Sequence, residues 1–125
     1  MTQQTDQQTI FETTVVEIGG EAEGFKDINM AILFGDEAPE ALRSSCYIIK
    51  VNPVRDAIKP GMTLSVDDKT YQITAIGNEA QKNLENLGHV AVNFTGDQTP
   101  ELAGSVYVEA KAYPEIKVGS RIAIG

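Results

Sequence analysis

The segment T-L-S-V-D-D-K-T-Y-Q-I-T-A-I-G, residues 63–77, constrains the fold more tightly than any other part of the chain. Leu64 and Val66 alternate with Thr63 and Ser65, and Tyr71, Ile73 and Ala75 alternate with Gln72 and Thr74. A period of two places every apolar member on one face of an extended strand, whereas on a helix the same residues would be scattered around the axis. Between the runs lies Asp67-Asp68-Lys69, a cluster suited to a tight turn. The pattern therefore predicts a β-hairpin with one face buried.

Similar runs recur along the chain. I-F-E-T-T-V-V-E-I-G-G (10–20) is β-branched and stops at two glycines, and N-M-A-I-L-F-G (29–35) reads as a more buried strand. C-Y-I-I-K-V (46–51), V-A-V-N-F (90–94), G-S-V-Y-V-E-A (104–110) and I-K-V-G-S-R-I-A-I (116–124) complete the set. The last echoes I-K-P-G-M-T-L-S-V (58–66), an echo read here as a recurring turn-and-strand device rather than a domain duplication. Helical signals are fewer. E-A-P-E-A-L-R-S-S (37–45) predicts a short helical turn with Pro39 in its first turn. N-E-A-Q-K-N-L-E-N-L-G (78–88) predicts a helix with Asn78 as N-cap, Ala80, Leu84 and Leu87 on its buried face, and Gly88 ending it in the left-handed conformation. Strands and helices alternate too sparsely for a doubly wound fold. The expectation is a mainly β fold, a small barrel or sandwich of about seven to nine short strands with one or two short helices.

At 125 residues the chain has the length of one domain, and residues 1–9, rich in Gln and Thr, read as a flexible N-terminal tail. A net charge of −8 opposes a phosphate backbone and aromatics are only 6% with no Trp, so nucleic-acid binding is disfavoured. The same charge suits a basic protein partner. One cysteine, Cys46, cannot form an internal disulfide, and in its apolar run it reads as a small core residue. No apolar run approaches the ~20 residues that span a bilayer, and the polar start does not read as a signal peptide, so a cytoplasmic location is expected.

Few residue sets could carry chemistry. One His and one Cys are a poor beginning for a metal site, so neither metal nor cofactor is expected. No glycine fingerprint for phosphate appears. The acidic pairs Asp36-Glu37 and Asp67-Asp68 read as solvated turns. His89, the only histidine, follows the helix-ending Gly88. It has two readings: a nucleophile that carries a phosphoryl group on nitrogen, or a structural residue whose ring caps the last helical carbonyls.

The segments T-T-V-V-E-I-G (13–19), A-P-E-A-L (38–42), A-I-G-N-E-A-Q-K-N-L-E-N-L-G-H-V (75–90), N-F-T-G (93–96), L-A-G-S-V-Y-V (102–108) and I-K-V-G-S (116–120) occur in the order of a known family. Through them the chain resembles the glucitol/sorbitol-specific IIA component of the bacterial phosphoenolpyruvate-dependent sugar phosphotransferase system, from about Phe11 to Ile124. The resemblance implies a single IIA-like domain over residues 10–125, mainly β. It implies a phosphohistidine carrier that takes phosphate from HPr and passes it to a IIB unit, with a IIB/IIC permease as the only link to the membrane. It also implies an acceptor histidine in a Cys-aromatic-Ile-His context. Here that stretch reads Cys46-Tyr47-Ile48-Ile49, with Lys50, Asn52 and Arg55 following, so Ile49 stands at the expected acceptor position. The chain is then either a IIA-like paralogue that binds or regulates without carrying phosphate, or a carrier whose working imidazole is His89, which matches the family's Leu-Gly-His-Val. The pattern leaves the oligomeric state open.

Overall fold

The computed structural model describes residues 9–125, so most of the predicted N-terminal tail lies outside the described residues. Eight strands close into one barrel: β1 (Phe11–Ile18), β2 (Met30–Gly35), β3 (Tyr47–Ile49), β4 (Thr63–Val66), β5 (Lys69–Ile76), β6 (Val90–Asn93), β7 (Ser105–Val108) and β8 (Arg121–Ile124). Around the barrel they run β1-β3-β2-β6-β7-β5-β4-β8, with β2–β3 and β6–β7 parallel and the other neighbours antiparallel. Alternate residues of each strand point inward, and Phe11, Val15, Leu33, Tyr47, Ile49, Leu64, Ile73, Val92, Val108 and Ile122 belong to one continuous core. A smaller cluster of Phe34, Ala38, Cys46 and Ile48, with Ile32 against it, covers the outer face of β2 and β3.

The hairpin forms as the alternation requires, β4 on β5 with Val66 opposite Lys69. Asp67 occupies the turn at φ 54°, but it is more than a solvated residue: its carboxylate accepts from Ser120 Oγ and from the Arg121 backbone N–H, both at 2.9 Å. Helix α1 covers only Glu40–Arg43, with Pro39 just outside it as the N-cap residue. Helix α2 spans Ala80–Leu87, and its N-cap residue is Glu79 rather than Asn78, without a side-chain cap bond. Of its predicted buried face, Ala80 and Leu84 are buried, whereas Leu87 is 48% exposed because the helix ends at the barrel rim. A 3-10 helix, Ala22–Ile28, has no counterpart in the sequence reading.

That segment reveals a duplication, which overturns the reading of the I-K-x-G echo as a mere local device. Residues 11–66 and 69–124 repeat one β-helix-β-β-β arrangement, related by a half-turn, with α1 an addition between β2 and β3 of the first copy. β1 meets β3 through Val15↔Ile49, Glu17↔Ile48 and Ile18↔Tyr47; β5 meets β7 through Ile73↔Val108, Ala75↔Tyr107 and Ile76↔Val106, with the irregularity at the same step. The rotation axis passes through Ile32↔Ala91 on one side of the barrel and Ser65↔Ala123 on the other, and the flanking pairs exchange across each. I-G-G-E-A (18–22) matches I-G-N-E-A (76–80). The seven-residue 3-10 helix ends on Asn29 at φ 57°, where the eight-residue α2 ends on Gly88 at φ 70°. Gly61 and Gly119, in the two I-K-x-G turns, have φ of 99° and 96°.

The half-turn makes a prediction. The Asp67-Asp68 turn that joins β4 to β5 corresponds to the place where Gly125 and Ile10 lie side by side, Ile10 N–H donating to Ile124 O at 2.8 Å. A circular permutant that joins Gly125 to Ile10 and opens between Asp67 and Asp68 is expected to fold to the same barrel. Its stability in denaturant should fall by no more than about 2 kcal/mol, because the new turn replaces a geometrically equivalent one. A permutant without a cooperative transition would contradict the equivalence.

Candidate functional site

His89 lies where β6 begins. The antiparallel ladder places Leu33 opposite Val90, and the next pair outward is Phe34 and His89. Their rings stack with centroids 4.2 Å apart and planes 13° apart, on the outer face of the barrel. This stack half-buries the imidazole, and desolvation holds its pKa below the ordinary histidine value. Burial thus favours the neutral ring, in which one nitrogen keeps its lone pair. Among the described residues no side-chain hydrogen bond engages either ring nitrogen. The predicted structural role is filled by backbone instead: His89 N–H donates to Asn83 O at 3.2 Å and Gly88 N–H to Leu84 O at 3.0 Å.

Two glycines bring the segments together. A Cβ on Gly35 would lie 2.4 Å from Leu87 O and 2.5 Å from Val51 Cγ2, and one on Gly88 would lie 2.8 Å from Gly35 N. Only bare backbone at both positions lets the end of α2 rest on β2. Ile49 pairs with Gly35 from the other side, so positions 49, 35 and 88 follow one another across the sheet. The expected acceptor position and His89 thus lie on either side of β2, and they face opposite ways. Ile49 is fully buried and belongs to the inner core, as does Val108, its counterpart under the half-turn. A histidine at position 49 of this barrel would point inward.

Beside the stacked rings is a depression of about 680 Å³. Phe34, Pro39, Val51 and Leu87 supply its apolar surface, while Lys50, Asp36 and Glu37 bring charge to it. Arg43, in α1, fixes one side. Its guanidinium donates to both Glu17 carboxylate oxygens (3.1 and 3.0 Å), to Asp36 O (2.8 Å) and to Asp36 Oδ1 (3.3 Å). The Glu17 carboxyl is held below the usual carboxylate range by this bond. Cys46 is a core residue, buried with its thiol donating to Leu42 O at 3.1 Å, and burial raises its pKa. Asn52 and Arg55, the other polar residues after β3, donate to Glu12 O and Thr9 O and so tie down the chain.

The half-turn also separates what the fold needs from what this site adds. His89 corresponds to Met30, Phe34 to Asn93, and Lys50 to Glu109, following the paired registers. Those differences lie together at one end of the axis. Phe34 and Lys50 were not singled out by the sequence reading as companions of His89, because nothing in a linear pattern places β2 between β3 and β6.

The family model for the PTS system glucitol/sorbitol-specific IIA component matches residues 10–123. Curated proteins named PTS system glucitol/sorbitol-specific EIIA component, from Shigella flexneri and from Escherichia coli (strain K12), are each 34% identical over 111 residues, covering 89% of this chain and 90% of theirs. A crystal structure of a PTS system IIA component from Enterococcus faecalis V583 superimposes with a TM-score of 0.78 at 28% identity, covering 90% of this chain and 97% of that one. The chain belongs to the glucitol/sorbitol-specific IIA component family of the sugar phosphotransferase system.

Proposed function

We propose that the chain is a cytoplasmic phosphocarrier of a sugar-alcohol uptake system, which accepts phosphate from HPr on His89 and passes it to a IIB unit serving a membrane IIC partner. The observation that carries this reading is the placement of His89: the only imidazole of the chain, half-buried on the outer face against Phe34, with no ring nitrogen engaged among the described residues and with burial favouring its neutral form. The lone pair of the unprotonated nitrogen attacks phosphorus in line. The phosphorus–nitrogen bond to the donor's imidazole breaks, and its electron pair stays on that nitrogen. The proton on the other nitrogen of His89 can then leave to solvent. Lys50, in the adjoining depression, offers positive charge to the phosphoryl oxygens. Among the described residues no helix is long and apolar enough to cross a membrane.

A second reading rests on two other observations. Ile49, at the family's expected acceptor position, has no lone pair, and the carbonyl end of α2 points toward His89, where a dianionic phosphoryl group is disfavoured. On that reading the chain docks relay partners and regulates them without carrying phosphate. Incubation with phosphoenolpyruvate, Enzyme I and HPr separates the two. The carrier gains one acid-labile phosphoryl group per chain. If it stays unmodified while a second IIA protein in the same mixture is labelled, the carrier reading is wrong. Co-purification with a IIB or IIC partner that persists in His89→Ala would then support docking alone.

A further inference from the structure

We propose that the depression beside His89 is a socket for one apolar side chain flanked by a lysine or arginine, presented by a protein partner of the relay; this rests on the carrier or docking role argued above. Phe34 forms the floor and is 7% exposed, whereas Val51 and Leu87 stand at the rim 44% and 48% exposed. Large aliphatic side chains this open around one hollow are suited to being covered. The charges select the occupant. Arg43 is shared between Glu17 and Asp36, so those three groups together keep one negative charge. Glu37 adds another and Lys50 opposes it, which leaves the socket and its rim net negative within a chain of net charge −8. A basic, apolar-tipped surface is complementary in both respects, and its cation would be steered toward the side of the socket away from Lys50. A second copy of this acidic chain is disfavoured by the same charge.

The half-turn supplies an internal control, because Ile28 corresponds to Leu87 at the end of the other helix and is 57% exposed. Binding of HPr and of a IIB unit is measured for wild type, Leu87→Asp, Glu37→Lys and Ile28→Asp. Leu87→Asp is expected to weaken binding at least about tenfold, since it replaces the apolar wall at the socket's rim with a carboxylate that an apolar side chain would have to desolvate. Glu37→Lys should weaken it roughly threefold at low salt and flatten its salt dependence. Ile28→Asp should stay within about twofold, by the same reasoning for a residue outside the contact. A second arm needs no relay protein: amide resonances of the full chain are followed during titration with a blocked Lys-Leu-Arg peptide and a blocked Glu-Leu-Glu peptide. Shifts at residues 34–39, 50–51 and 86–87 with the basic peptide alone support the socket. Absence of such shifts, or Ile28→Asp weakening HPr as much as Leu87→Asp, overturns it. Peptide shifts without any binding of HPr or a IIB unit keep the socket and remove its assignment to the relay. Sedimentation showing a wild-type dimer that Leu87→Asp dissociates assigns the hollow to a second copy and overturns the proposal.

Discussion

Replacing His89 with alanine is expected to abolish uptake of acid-labile phosphate, and a histidine placed at position 49 is expected not to restore it. The first half follows from chemistry, since the chain contains no other imidazole. The second half follows from the barrel. Ile49 is fully buried, between Val15 on one neighbouring strand and Gly35 on the other, and its side chain is part of the inner core. An imidazole there gives up aliphatic contacts and buries ring nitrogens among apolar neighbours. The expected loss of stability for Ile49→His is about 2–4 kcal/mol. A phosphoryl dianion on that ring would need the barrel to open. Ile49→Val, which keeps the shape, should lose only about 1 kcal/mol. Intact-mass measurement of the phosphoryl group and urea melts of the same variants check both halves. Labelling of the His89→Ala, Ile49→His double variant at the wild-type rate would move the acceptor to β3.

A comparably large effect on stability is expected from one methyl group at Gly77. A Cβ there would stand 2.3 Å from Ala103 O and 2.4 Å from Leu102 O, far inside contact distance and against backbone that cannot rotate away. The chain 102–104 has to shift, and with it the start of β7. Gly77→Ala is therefore expected to lose about 3 kcal/mol or more. Gly19→Ala should behave alike, because its Cβ would meet Ser44 O at 2.3 Å and Arg43 O at 2.4 Å. Gly24→Ala is the control: nothing lies within 4 Å of its Cβ, and it should be neutral within about 0.5 kcal/mol. Thermal and urea unfolding of the three variants suffice. Equal stability of Gly77→Ala and Gly24→Ala would show that the close approach does not hold in solution.

These glycines also show how much the chain disclosed before its fold was known. The hairpin at 63–76 and the strand at the C-terminus are legible because a period of two and a turn cluster act within a dozen residues. The glycine at 88 could be assigned its left-handed turn for the same local reason. Barrel closure was not decidable, because it rests on β1 meeting β8 across almost the whole chain. The duplication was hidden for a related reason. Its two halves share strand order and pairing register, and β2 and β6 share their burial pattern, but residue identity agrees mainly at I-G-x-E-A and I-K-x-G, and burial differs at Phe11 against Lys69 and Glu17 against Ala75. The 3-10 helix at Ala22–Ile28 has Gly24 within it and too little apolar periodicity to announce itself. His89 stood out as the only histidine, whereas its stacking partner Phe34 was one apolar residue in a buried strand until β2 was found beside β6.

Closure has a consequence for how such a protein can meet its partners. Among the described residues every strand has neighbours on both sides, so the sheet offers no unpaired edge on which another chain could lay a strand. Recognition has to be made by side chains standing on a rigid surface. Contacts of that kind can be small and can separate quickly, because nothing needs to unzip when the complex parts. On the relay role proposed above, in which one protein is released before the next is engaged, a surface that cannot be extended is an advantage.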